Sequence, residues 1–121
     1  MAVKLSLIVP CYNEESTLAE IVEHILAIED DQISLELVIV DDCSTDNSRQ
    51  VAEQLKEKHP EIKLAFHDVN QGKGAALRTG FLEATGDYVG IQDADMEYDP
   101  RDYKILLEPL LEGKAVVFFQ I

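Results

Sequence analysis

Tyr88-Val89-Gly90-Ile91-Gln92-Asp93-Ala94-Asp95 is an apolar strand that runs out into two carboxylates one residue apart. Along an extended chain, side chains at i and i+2 point to the same side. Asp93 and Asp95 are therefore expected to face one common point just past the strand. Two unit charges about 4 Å apart repel by roughly 4 kcal/mol at an effective dielectric near 20. That is large against a domain stability on the order of 5–15 kcal/mol. A divalent cation turns the repulsion into attraction. Hard cations such as Mg²⁺ take one or two carboxylates together with phosphate oxygens of a substrate. An isolated D-x-D is more often an acidic, solvated turn, so the surrounding chain decides.

Working outward, Ala75 to Ala84 reads as a helix, with Ala76 and Gly80 small enough for close packing and Gly86 placed as its C-terminal stop. Before it lies the glycine-rich turn Asn70-Gln71-Gly72-Lys73-Gly74. Ile62, Leu64 and Phe66 alternate with Lys63, Ala65 and His67, the period of a half-buried strand. Val51, Ala52 and Leu55 give a helix its inner face, with Ser44 or Asp46 as its cap and Pro60 marking its end. Leu35 to Val40 is an apolar strand that runs into Asp41-Asp42. Leu18, Ile21, Val22, Ile25 and Leu26 form one face of a helix, and His24 falls off that face into solvent. Val3 to Val9 is the first strand, which Pro10 is expected to stop. On the other side, Asp99-Pro100 opens a further helix that Pro109 interrupts and Gly113 ends, and Ala115 to Phe119 is a fifth strand.

Strands alternating with helices predict a Rossmann-like α/β domain: a mainly parallel sheet with helices on both faces. In such sheets ligands bind beyond the carboxyl ends of the strands, where the strand order reverses. Pro10–Glu14, Asp41–Asp42 and Asp93–Asp95 all follow strand ends, so they are expected to converge on one edge of the sheet.

Composition narrows the partners. The 121 residues suit one domain, 1–121, and 46% apolar residues can build a core. A net charge of −14 makes nucleic acid an unsuitable partner and repels anionic lipid. An anionic substrate then needs a metal ion or local basic groups. Cys11 and Cys43 form neither a C-x-x-C pair nor a zinc spacing, so both read as reduced thiols. No apolar run approaches the roughly 20 residues of a membrane span, and no signal peptide is visible. A cytoplasmic location is expected, at the cytoplasmic face of a membrane for the full-length protein.

The stretches Ile8–Glu15 (IVPCYNEE), Val38–Ser48 (VIVDDCSTDNS), Asn70–Phe81 (NQGKGAALRTGF) and Gly86–Pro100 (GDYVGIQDADMEYDP) resemble, in order and spacing, the inverting glycosyltransferases of family 2 with the GT-A fold. They are most similar in flavour to polyprenyl-phosphate sugar transferases such as dolichol-phosphate mannose synthases. The resemblance implies a nucleotide-diphosphate sugar donor, UDP- or GDP-linked, a Mg²⁺ or Mn²⁺ ion, and a polyprenyl phosphate or other acceptor. It implies that Pro10, Tyr12 and Glu14 pack on the nucleoside, and that Val40 and Asp42 close the second strand where Asp42 recognises the base. It implies that Asp93, Ala94 and Asp95 meet the ribose and the diphosphate, with Asp93 and Asp95 at the metal. Asp41 is implied to be structural. No residue is implied as catalytic base.

The residues carry their own reasons. A tyrosine ring can lie on a base, and a carboxylate accepts from the N–H edge of uracil or guanine. Lys73 suits a phosphate or the open surface, Arg78 reads as a solvated helix residue, and His67 ends a strand near the same edge. Met96-Glu97 departs from the Leu-Gln of many polyprenyl-phosphate relatives. The apolar ending Val116-Val117-Phe118-Phe119-Gln120-Ile121 reads as the nucleotide-binding portion of a longer catalytic domain, with the acceptor part beyond it. Apolar surface exposed there is expected to favour homo-oligomers.

Other readings compete. A receiver-type signalling domain needs its acidic pair after the first strand, whereas Asp41-Asp42 follow the second. A nucleotidyltransferase needs an early glycine-rich, Arg-bearing loop, which Pro10–Glu14 is not. A non-catalytic nucleotide-sugar-binding module shares every motif above.

Overall fold

The computed structural model describes residues 3–27, 29–93 and 115–120, with side chains for 4–27 and 29–92. The expected helix from Asp99 to Gly113, the residues Ala94 and Asp95, and the side chains of the fifth strand lie outside the described residues.

Among the described residues five strands and three helices follow in order: β1 (Val3–Cys11), α1 (Leu18–Leu26), β2 (Ile33–Asp41), α2 (Ser48–Lys58), β3 (Ile62–Phe66), α3 (Lys73–Glu83), β4 (Tyr88–Asp93) and β5 (Ala115–Gln120). The strands form one sheet in the order β3-β2-β1-β4-β5, every pairing parallel. The order reverses between β1 and β4, the crevice where α/β sheets bind ligands. It is the Rossmann order, whereas receiver-type domains run 2-1-3-4-5.

Each face of the sheet carries its own core. Leu7, Val9, Leu37 and Ile39 pack with Leu18, Val22 and Ile25 of α1 and with Ala52 and Leu55 of α2. On the opposite face Ile8, Val38, Val40, Val89 and Ile91 pack beneath Ala76, Leu77 and Phe81 of α3. Coverage on both faces is why β1 and β2 read as continuous apolar runs. Each large side chain buried here stabilises the fold by roughly 1.5–3 kcal/mol. The helical face read for α1 is borne out: Leu18, Val22 and Ile25 are buried, Ile21 and Leu26 pack at its margin, and His24 is exposed.

Four local expectations are corrected. Pro10 does not stop β1, which continues to Cys11 in register with Asp41. The carbonyl of Cys11 accepts from Asp42 N (2.9 Å) on the β2 side, so the backbone of Pro10 faces away from β2. There β1 pairs with β4 only as far as Ile8, and a missing donor costs nothing where no partner stands. Secondly, β3 is covered on both faces: Leu64 packs on one core and Ala65 on the other. Thirdly, neither Ser44 nor Asp46 holds the N-cap position of α2, which is Asn47. Asp46 still accepts from Ser48 N at 2.9 Å.

The fourth concerns Gly86. α3 begins at Lys73, two residues earlier than the apolar pattern suggests, and ends with Ala84 in extended geometry. Gly86 is therefore no left-handed stop, and its reason is space. A Cβ there would lie 2.6 Å from Ser6 Oγ and 2.8 Å from Ser6 N. Gly80 does serve close packing, because a Cβ would collide with Ile8 Cγ2. Among the described residues no helix is long and apolar enough to cross a membrane.

Candidate functional site

All five strands run the same way, so β1, β2, β3 and β4 end on one edge of the sheet. The loops that follow β1, β2 and β3 meet there, and β4 reaches the same edge at Asp93.

The first two loops are stitched together. Asn13 adopts left-handed geometry (φ 53°), which asparagine tolerates better than most residues. Its Oδ1 accepts from Thr45 N (2.8 Å), Thr45 Oγ1 (3.2 Å) and Asp46 N (3.3 Å). In return Asn13 N donates to Ser44 Oγ (3.0 Å), Glu14 N to Ser48 Oγ (2.7 Å) and Glu15 N to Asp46 Oδ2 (3.3 Å). Asp41, buried at the end of β2, accepts from both the amide and the hydroxyl of Ser44. That turn requires Cys43 in left-handed geometry (φ 59°). The Glu14 carboxylate accepts from Thr17 Oγ1 (2.8 Å) and its carbonyl from Thr17 N and Leu18 N, which starts α1. Tyr12 stands half exposed above this platform.

Asp42 is the centre of the third contact. It is 4% exposed. Its Oδ1 accepts from His67 Nδ1 (2.8 Å) and Gln71 N (2.9 Å), and its Oδ2 from Gly72 N (2.8 Å). Its carbonyl accepts from Asn70 Nδ2 (3.2 Å). Gly72, at φ 94°, is the N-cap of α3, and only glycine turns the chain there without strain. The other ring nitrogen of His67 lies 2.8 Å from Thr79 Oγ1 on α3. One carboxylate thus ties the end of β2 to the turn before α3 and to the end of β3.

Among the sequence candidates, Pro10, Tyr12, Glu14 and Asp42 come together at this edge, and Asp93 ends β4 beside them. Val40 does not share the open surface, since it is fully buried beneath α3. Ala94 and Asp95 lie outside the described residues. Asn13, Ser48 and Thr79 were not picked out by sequence reasoning, Ser44 was read only as a helix cap, and His67 only as a strand end near the same edge. Their partners lie as far as 34 residues away, so no local pattern announces them.

Cys11 offers no ready thiolate. Burial pushes the Cys11 thiol up to about 12, reinforced by the Asp41 and Glu14 charges and only partly offset by a hydrogen bond with Ser48. Both cysteines are free.

Comparison with known proteins matches this architecture. A structure of TarS (residues 1–349) from S. aureus in complex with UDP-GlcNAc superposes with a TM-score of 0.68 at 29% identity, over 90% of this chain and 31% of that one. A mannosyltransferase from Pyrobaculum calidifontis, in complex with GDP-Man and Mn²⁺, gives 0.64 at 33% identity, over 73% of this chain and 26% of that one. These neighbours are GT-A glycosyltransferases, and the fold here is of that type. In sequence, an uncharacterized glycosyltransferase of Nostoc sp. is 40% identical over 105 residues, 87% of this chain and 32% of its own. A dolichyl-phosphate beta-glucosyltransferase of Trichomonas vaginalis is 36% identical over 111 residues, 87% of this chain and 34% of its own. The chain thus spans about a third of the length of the curated relatives it matches. The profile for glycosyl transferase family 2 matches residues 6–121, and the chain belongs to that family.

Proposed function

We propose that the chain is the donor-binding part of an inverting glycosyltransferase that uses a nucleoside diphosphate sugar and a divalent cation. The observation that carries this reading is the convergence of the β1, β2 and β3 loops around buried Asp42 at the switch point, with β4 ending in Asp93 beside them. Tyr12 offers a half-exposed ring to a nucleobase, Asp42 accepts from the base edge, and Pro10 and Glu14 shape the floor of the pocket. Asp93, Ala94 and Asp95 meet the ribose and diphosphate.

The donors available at the end of β4 fit a hard cation, because Asp93 and Asp95 supply carboxylate oxygens and no soft ligand. Mg²⁺ or Mn²⁺ held there would neutralise charge developing on the leaving diphosphate. The nucleotide sugars bound by the two structural neighbours, and the Mn²⁺ bound by the mannosyltransferase, support this assignment. The dolichyl-phosphate relative supports a polyprenyl phosphate as acceptor. Such a phosphate is already anionic at neutral pH and needs no general base, whereas an alcohol does. A location at the cytoplasmic face of a membrane belongs to the same proposal.

Titration calorimetry tests the binding step. A nucleoside diphosphate is expected to bind with Mn²⁺ and to weaken about tenfold or more in a chelator, since a charge-neutralising ion is removed. Asp95→Ala should abolish most of that metal dependence. Equal binding with and without metal would refute the reading.

A further inference from the structure

We propose that His67 is a specificity-determining positioning residue. By filling one side of the Asp42 carboxylate it leaves a single acceptor position, which selects a uracil-type base over guanine. The proposal rests on the reading of Asp42 as the base contact.

An ionised carboxylate accepts about four hydrogen bonds, two at each oxygen. Among the described residues three donors already engage Asp42: His67 Nδ1 and Gln71 N at Oδ1, and Gly72 N at Oδ2. Oδ1 is therefore full and Oδ2 keeps one place. Uracil presents one ring N–H between two carbonyls, which a single acceptor satisfies. Guanine presents a ring N–H and an amino group side by side, and such a pair needs one free position on each oxygen. With Oδ1 full, one guanine donor would be buried without a partner, a penalty that sites use to reject a wrong ligand.

Two of the three donors are main-chain amides, which only proline would remove, and proline cannot adopt the φ of 94° at Gly72. His67 is the replaceable one. Its ring is held at both nitrogens, since Thr79 Oγ1 on α3 lies 2.8 Å from Nε2. With Nδ1–H donating a hydrogen bond to Asp42, Nε2 accepts from the Thr79 hydroxyl. The side chain of His67 is 8% exposed and that of Asp42 5%, so water does not readily replace this bond.

The test is titration of the 121-residue chain with UDP, GDP and IDP in the presence of Mn²⁺, for the parent and two variants. UDP is expected to bind about tenfold tighter than GDP or better. IDP, which has the ring N–H but no amino group, should bind at least as tightly as GDP. His67→Phe empties one position on Oδ1, so the UDP-to-GDP ratio should collapse by about tenfold. His67→Gln keeps a donor in reach of Asp42 and should retain the preference. A purely structural role would weaken all three nucleotides alike. The proposal is overturned if GDP binds the parent as well as UDP, or tighter than IDP. It is overturned equally if a folded His67→Phe keeps the parent ratio. If no diphosphate binds with metal, the donor-binding reading itself falls; if GDP binds best, that reading stands and only the selectivity is wrong. Should His67→Phe not fold, the UDP, GDP and IDP order of the parent and the His67→Gln ratio still decide.

Discussion

Glu36 and Asp42 are both nearly buried carboxylates, on and just after β2, in register with Val38 and Val40 beneath α3. They solve the problem of a buried charge differently. Glu36 sits toward the N-terminal end of the sheet. It collects Ser6 Oγ (2.9 Å), Thr85 N (2.9 Å), Thr85 Oγ1 (2.8 Å), and the ammonium groups of Lys4 and Lys63 (3.3 Å each). Burial alone would raise its pKa, but the hydrogen bonds from Thr85, Ser6 and Lys4 outweigh it and hold the carboxyl at about 2. Asp42, at the opposite end, is held by two amides and one imidazole, with an acceptor position to spare. Among the described residues the structural carboxylate is saturated, whereas the one proposed to bind a base is left a place short. Gly86 completes the first arrangement: its N–H donates to Ser6 Oγ at 2.8 Å, with no room for a Cβ.

The contrast is easiest to break at Glu36. Glu36→Ala strands the Thr85 amide and the buried Ser6 hydroxyl, while Lys4 and Lys63 lose a counter-charge but keep Thr85 Oγ1 and the Glu83 carbonyl. Each stranded donor costs about 1–3 kcal/mol. Denaturant unfolding should show that loss, while the preference among nucleotides in the surviving folded fraction stays as in the parent. A changed preference would mean that the two edges are coupled. Asp42→Ala should do the opposite. It strands two loop amides that can reach water and the buried His67 Nδ1 that cannot readily do so, so the stability loss should stay near about 1–2 kcal/mol, most of it at His67. Nucleoside binding should weaken by about 1–3 kcal/mol with the metal requirement intact.

Acid sharpens the same distinction. The folded pKa of Glu36 is lowered, from an ordinary 4.5 to about 2. Its stabilisation is complete above the ordinary value, declines as pH falls below it, and is gone under the folded value. Thermal melts between those limits should fall more steeply for the parent than for Glu36→Gln. Parallel profiles would remove Glu36 as the source. The smallest effect is expected at Cys43, whose left-handed φ of 59° costs a non-glycine residue roughly 1 kcal/mol. Cys43→Gly should be neutral or stabilising by less than about 1 kcal/mol in melting experiments. A clear loss would mean that the Cys43 Sγ contact to the Asp68 carbonyl outweighs the relief.

Much of this molecule was legible in its sequence. Period and punctuation placed every described helix and strand, because burial on one helix face or on both sheet faces leaves a local trace. Asp42 and Tyr12 stood out because they follow apolar strands. The Glu36 cluster did not, since its donors come from β1, β3 and the turn before β4, up to 49 residues away. Within an apolar run a lone glutamate has no partner that sequence proximity can name. The link from Asn13 to the Ser44–Asp46 turn was hidden for the same reason, so Ser44 and Asp46 were read as local caps rather than as crosslinks between loops. Pro10 was misjudged because its cost depends on which neighbour strand it faces, and that is set by topology.

The position of β1 bears on how the chain is made. β1 leaves the ribosome before the other four strands, yet it stands between β2 and β4. Its β2 side is paired once Asp41 has emerged, but the partner for its other side begins at Tyr88. At about 5–20 residues per second, synthesis leaves that edge open for roughly 2–9 s. During this interval the nascent chain carries an unpaired strand of mostly apolar side chains, the kind of edge that recruits strangers. Lys4, whose main chain later bonds Asp87 at both its amide and its carbonyl, places a charge on that waiting edge. Translation speed through residues 42–88 thus becomes a determinant of yield for this fold, independent of its final stability.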